Sequence, residues 1–170
     1  MKKCFLGAVF MLCPVLCCVA QRADSSVRHL AEYYVAAYAK HYNLPVAFVR
    51  AIVQVESDWR PCPISSKGAV GLMQLMPLTA ARLGVRDRCD INANISGGVR
   101  YLAWLRQRLG GDLRLTTAAY LAGEEAIARR GLLYSNPEVF AYVSRVRQNY
   151  ELEMRKITAI TPAETKGTVR

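Results

Sequence analysis

The sequence predicts an all-α protein built around one core, and the expectation rests on the spacing of its residues. Apolar side chains recur every three or four positions along most of the chain, and no stretch of useful length alternates apolar with polar residues. Glycine, proline and asparagine punctuate the periodic segments, as turns between helices require. Composition agrees. With 52% hydrophobic and 21% charged residues, a chain of 170 residues can bury one domain of ordinary size. Wholesale disorder, collagen-like repeats and two independent enzyme domains are excluded.

Residues 1–20, MKKCFLGAVFMLCPVLCCVA, have the layout of a secretory signal peptide. Lys2 and Lys3 form the basic start, an apolar run extends from Phe5 to Val19, and Ala20 is a small residue before Gln21. The run is short for a membrane span, which needs about 20 apolar residues. An uncleaved anchor is the alternative reading. A lipoprotein reading ranks low, because Pro14, Val15 and Leu16 offer no small residue ahead of Cys17 or Cys18. The chain therefore divides into a signal segment (1–20), one folded domain (21–155) and a mobile C-terminal tail (156–170). Export to the periplasm is expected, without stable membrane insertion once the segment is removed.

Loss of Lys2 and Lys3 lowers the net charge from +10 to +8. That excess points to an anionic partner, and export disfavours nucleic acid in favour of an anionic polymer. Cys4, Cys13, Cys17 and Cys18 leave as well, so Cys62 and Cys89 remain. A disulfide between them is expected in an oxidising compartment, and two buried free thiols are the alternative.

The folded domain reads as helix after helix. Residues 25–41 form the first, with Ser25 or Ser26 as its cap, and Asn43-Leu44-Pro45 ends it. Pro45 suits the start of a second helix that reaches Ser57. Pro77 opens a third, which Gly84 stops. Residues 92–109 carry Ile95, Val99, Leu102 and Leu109 on one face, and Gly110-Gly111 ends that helix. Two short helices, 115–122 and 124–130, flank Gly123. Asn136-Pro137 opens the last, whose stripe is Val139, Tyr142, Val143, Val146 and Tyr150.

Glu56 is the most informative residue. Val49, Ile52, Val53 and Glu56 share one helical face, so a carboxyl group ends a buried stripe. Desolvation disfavours its charged form and raises its pKa, as a general acid at neutral pH requires. The bland alternative is a solvated helix-edge Glu paired with Arg50 or Arg60. Two further segments stand out. Gly68-Ala69-Val70-Gly71-Leu72-Met73-Gln74-Leu75-Met76-Pro77 combines close backbone approach, an amide able to donate and accept, and soft apolar surface. Ala119-Tyr120-Leu121-Ala122-Gly123 sets a tyrosine among small residues.

Taken in this order and spacing, Glu56-Ser57, the run from 68 to 77, the segment 119–123 and the helix bearing Tyr142-Val143 resemble the catalytic domain of the soluble-type (SLT) lytic transglycosylases. The resemblance covers about residues 40–147 and implies a lysozyme-like helical fold of the goose-lysozyme and transglycosylase kind, with 21–155 as the catalytic domain. It implies that Glu56 is the single catalytic acid and base. Ser57 would help orient it, while Ser65, Met73, Gln74, Tyr120 and Tyr142 would line or support the cleft. The family usually carries asparagine where this chain has Leu121, and the usual proline after Gly123 is replaced by Glu124. The lost amide is expected to weaken a substrate hydrogen bond by about 1 kcal/mol.

The resemblance also implies the reaction: cleavage of the β-1,4 bond between N-acetylmuramic acid and N-acetylglucosamine in peptidoglycan, leaving a 1,6-anhydro end. Most glycosidases need two carboxylates, and Asp58, two residues on, points elsewhere. One suffices when the substrate's acetamide assists. A goose-lysozyme-like hydrolase and a non-catalytic wall-binding part of an envelope machine are the other readings. By analogy with small exported versions of this domain, the expected partners are glycan strands and proteins of a secretion, conjugation or pilus apparatus. His29 and His41 are isolated, and no cofactor or metal is implied.

Overall fold

A computed structural model describes residues 13–160. Among these the chain forms seven α-helices: α1 (Cys13–His41), α2 (Val46–Ser57), α3 (Pro77–Arg82), α4 (Ile91–Arg108), α5 (Leu113–Ala122), α6 (Glu124–Arg130) and α7 (Pro137–Ile160). One 3₁₀ turn, Gly131–Leu133, follows α6. Extended pairing is confined to isolated antiparallel contacts of Val70 with Ile64 and Leu75. The all-α expectation holds.

Helix α2 is the central element. Ala47, Phe48, Val49, Ala51, Ile52 and Val53 are all buried, so it is apolar nearly all round, as an enclosed helix must be. It packs on α1 and α7, while α4 packs on α1 and α5. Ala31, Val35 and Ala39 of α1, Ile95, Val99 and Leu102 of α4, and Tyr142 and Val146 of α7 close over it. A second cluster joins Leu105, Ala118, Ala119, Ile127 and Val139. Arg50 of α2 ties the two long helices together, pairing with Glu32 of α1 at 2.7 Å and Glu153 of α7 at 3.7 Å.

Several boundaries differ from expectation. Helix α1 is already helical at Cys13, so Ser25 and Ser26 lie within it rather than capping it. The proposed signal segment thus falls partly in this helix and partly on residues 1–12, which lie outside the described residues. Helix α5 starts at Leu113, because Asp112 caps it by accepting from the amides of Arg114 and Leu115. Leu105, rather than Leu109, carries the buried stripe of α4 onward. Helix α7 starts as predicted, with Asn136 accepting from the amides of Glu138 and Val139. It runs to Ile160, beyond the expected tail boundary. The rest of the expected tail, 161–170, lies outside the described residues. No helix among the described residues is long and apolar enough to cross a membrane.

Candidate active site

Glu56 sits in the last turn of α2, where the buried face of that helix meets α7. The hydroxyl of Tyr142, itself buried, donates to Glu56 Oε1. Burial is the dominant influence on this carboxyl and raises its pKa from the ordinary 4.5 to about 7, although the Tyr142 hydrogen bond and the Arg145 charge pull it down. Neither arginine of the bland alternative reaches it, since Arg50 is paired elsewhere and Arg60 Nε donates to the Ser57 carbonyl at 3.0 Å. Asp58 adopts a left-handed backbone at φ 53°, is exposed, and accepts from Gln54. Ser57 is buried, and its hydroxyl donates to the Val53 carbonyl at 3.0 Å. That bond belongs to the helix, so the carboxyl is oriented by Tyr142 rather than by Ser57.

The facing wall is the irregular segment 58–76. Ser65 closes a turn in which its Oγ accepts from the Ala69 amide at 3.0 Å. Gly71 has φ 85°, and a Cβ there would stand 2.3 Å from both the Arg88 carbonyl and Asn94 Nδ2, so only glycine fits. Gln74, with φ 47°, donates its amide to the carbonyls of Pro63 and Gly71 at 3.0 and 2.9 Å. Met73 departs from the expected cleft-lining role. Its side chain is fully buried against Gly98 of α4, while its carbonyl accepts from the Tyr120 hydroxyl at 2.7 Å. Met76, 43% exposed, lines the cleft instead.

One buried side chain organises this wall. Asn94 accepts from the Met73 amide at 2.8 Å and donates to the carbonyls of Val70 and Arg88 at 3.0 and 2.7 Å. Arg88 donates to the Gly68 and Leu75 carbonyls at 2.7 and 3.0 Å. The expected disulfide joins Cys62 to Cys89, with their Cα atoms 5.0 Å apart. Sequence reasoning missed Asn94 and Arg88. The signal for Asn94 was a polar residue on α4 beside Ile95 and one turn from Gly97-Gly98, glycines that have no place in a helix interior unless something packs on them.

Between wall and acid lies a groove of about 420 Å³ that brings together Glu56, Ser65, Gln74, Tyr120 and Leu121. Leu121 is 39% exposed there, so the apolar side chain faces whatever the groove holds. Tyr142 stays beneath, behind Glu56. Burial and the nearby Glu56 charge keep the hydroxyls of Tyr120 and Tyr142 protonated far into the alkaline range. Glu138 and Lys67, also missed, line the same groove and pair at 3.2 Å. Glu138 stands one helical turn before Tyr142, which was the available clue.

Residues 33–139 match the transglycosylase SLT domain. The chain belongs to this family. Among SLT relatives, it is 43% identical over 91 residues to the transglycosylase of Enterobacteria phage PRD1, covering 52% of this chain and 33% of that one. It is 31% identical over 128 residues to membrane-bound lytic murein transglycosylase F of Pseudomonas fluorescens, covering 68% and 26%. The chain thus spans about a quarter to a third of the length of these relatives. The 70-kDa soluble lytic transglycosylase of Escherichia coli superposes with a TM-score of 0.60 at 27% identity, over 74% of this chain and 24% of that chain. A 70-kDa soluble lytic transglycosylase in complex with bulgecin A gives 0.63 at 27% identity, over 79% of this chain and 25% of that chain. The fold of this SLT domain is therefore the lysozyme-like helical one.

Proposed function

We propose that this protein is an exported peptidoglycan lytic transglycosylase that cleaves the β-1,4 bond between N-acetylmuramic acid and N-acetylglucosamine. The observation that carries the reading is Glu56: a carboxyl group at the floor of a groove, desolvated to a pKa of about 7 and held by Tyr142. Such a group keeps a substantial protonated fraction at neutral pH and can both give and take a proton. In the first step Glu56 protonates the glycosidic oxygen and the leaving N-acetylglucosamine departs. The muramic acetamide oxygen bonds to C1 in its place, which removes the need for a second carboxylate. Glu56, now ionised and stabilised by the Tyr142 hydroxyl, then accepts the proton of the same sugar's C6 hydroxyl. That oxygen bonds to C1, displaces the acetamide and leaves the 1,6-anhydro ring without consuming water.

Ser65, Gln74, Tyr120 and Leu121 are proposed to contact substrate, and Tyr142 to position the acid. Met73 is assigned to support of the wall through its backbone. The periplasm supplies both the substrate and the oxidising conditions that suit the Cys62–Cys89 bridge. A domain of this size fits local opening of the wall during assembly of a secretion, conjugation or pilus apparatus. Incubation with purified sacculi, followed by mass analysis of the fragments, tests the chemistry. Anhydro-muropeptides are the expected product. Reducing ends would mean hydrolysis, and no fragments at all would mean a wall-binding protein without activity.

A further inference from the structure

An ion pair crosses the groove in front of Glu56. Lys67 belongs to the facing wall and Glu138 to the first turn of α7, and both line the groove. Lys67 Nζ stands 3.2 Å from Glu138 Oε1, so the two side chains span the opening from one side to the other. Each is anchored on fixed backbone. Lys67 sits in the turn closed by Ser65, where the Gly68 amide donates to the Ser65 carbonyl at 3.0 Å and Arg88 holds the Gly68 carbonyl at 2.7 Å. The amide of Glu138 donates to the Asn136 cap at 2.9 Å.

The side chains themselves are loosely held. Lys67 is 75% and Glu138 66% exposed, and among the described residues neither charged end has a second partner. An exposed pair of this kind favours its closed over its open state by only about 1.5- to fivefold, and salt screens it. Opening it needs no backbone movement, only side-chain rotation, which is among the fastest motions of a protein surface. A bridge this weak does not keep a polymer out, but it biases how the polymer enters.

We infer that Lys67 and Glu138 form a strap over the groove that sets where along a glycan strand the protein cuts. The inference rests on the glycan-cleaving reading of the groove. With the strap closed the groove is a short tunnel, and a strand enters it by a free end. With the strap open an interior segment settles in from the side. The pair therefore favours strand ends over interior bonds, by no more than its own closing equilibrium, and leaves the proton transfers of Glu56 unchanged. Ionic strength shifts the preference, because a screened pair spends more time open.

Digestion of long linear glycan strands stripped of peptides tests this, with the products sorted by length and the ratio of mid-length fragments to single end units read. Lys67→Gln and Glu138→Gln should each raise that ratio about threefold. The exchanged protein, Lys67→Glu with Glu138→Lys, remakes the pair and should return the ratio to within about 1.5-fold of the unaltered protein. Salt raised from about 20 mM to about 300 mM should raise the ratio in the unaltered and exchanged proteins but not in the single variants. Unchanged ratios in both single variants, or a salt response that persists in both, overturn the strap. So does an exchanged protein as altered as the single variants, which would show that each residue acts on the strand separately. Anhydro ends with no shift in ratio sink the strap alone. Reducing ends with the full shift sink the transglycosylase chemistry and keep the strap. If the unaltered protein cuts nothing, its association with purified sacculi is read instead: Lys67→Gln should associate about threefold faster, and equal or absent association overturns the strap.

Discussion

Glu56 and the wall that faces it, residues 58–76, are held in place by different physics. The acid stands on α2, a helix locked by apolar contacts on nearly every side, and one hydroxyl from α7 orients it. The wall has no such enclosure. Its backbone polar groups are satisfied by Asn94, Arg88 and short turns, and one covalent bond anchors its start. Helix packing tolerates small changes because its contacts are many and weak. A loop hung on a few polar ties loses much when one is cut, because each cut leaves a buried group unpaired. The acid should therefore fail chemically before it fails structurally, and the wall the reverse.

Glu56→Gln gives the sharpest test, with an expected loss of about 10³-fold in release of anhydro-muropeptides and a fold unchanged by circular dichroism. The same variant reports the cost of holding the acid. Folding favours its neutral form, so the stability it contributes is fully present below about 4.5 and lost as pH rises through about 7. Glu56→Gln should thus melt higher than the unaltered protein at pH 8 and equal to it near pH 4, and activity should fall as pH rises through 7. An equal melting temperature at pH 8 would show that the carboxyl is not desolvated.

Asn94→Ala comes next, and its effect should fall on the wall. Loss of three hydrogen bonds at a buried site is expected to cost about 2–4 kcal/mol in chemical denaturation. Breaking Cys62–Cys89 by paired serine substitution should cost about 3 kcal/mol, because the bridge closes a long loop. If either change left stability untouched while abolishing turnover, the contrast between wall and acid would collapse. Tyr142→Phe should reduce turnover about tenfold. It should also move the alkaline limb of the pH profile upward, since the lost hydrogen bond lowers the acid's pKa. Leu121→Asn is the smallest change, an expected gain of about fivefold in turnover from one restored hydrogen bond. A decrease would identify the leucine as an adaptation of this groove.

The same contrast explains what the sequence disclosed. The helix order, the capping of α7 by Asn136 and the buried face ending at Glu56 are local, periodic features, and reading residues in turn recovers them. Glu56 was legible because burial of a helix face predicts desolvation of whatever ends it. The roles of Met73 and Ser57 were misjudged for a non-local reason. Whether Met73 points into the cleft or the core depends on Gly98, distant in sequence, and whether Ser57 reaches the acid depends on competition from the Val53 carbonyl. Asn94 and Arg88 escaped notice because their partners are spread from Gly68 to Leu75, and no spacing rule records such ties. The helical reach of α7 to Ile160 was underestimated because its last turns are largely exposed and carry little periodicity.

The disulfide half-cystine Cys89, the guanidinium of Arg88 and the amide of Asn94 all belong to one short stretch that leads into α4. Three kinds of bond therefore converge from the wall onto the start of a single helix. The wall and the first turn of α4 cannot open separately, since freeing one strands the partners of the other. They form one cooperative unfolding unit. In native-state hydrogen exchange, the amides of Val70, Met73 and Leu75 should release together with those of the first turn of α4, at one common free energy. The groove in front of Glu56 would then be either wholly formed or wholly lost.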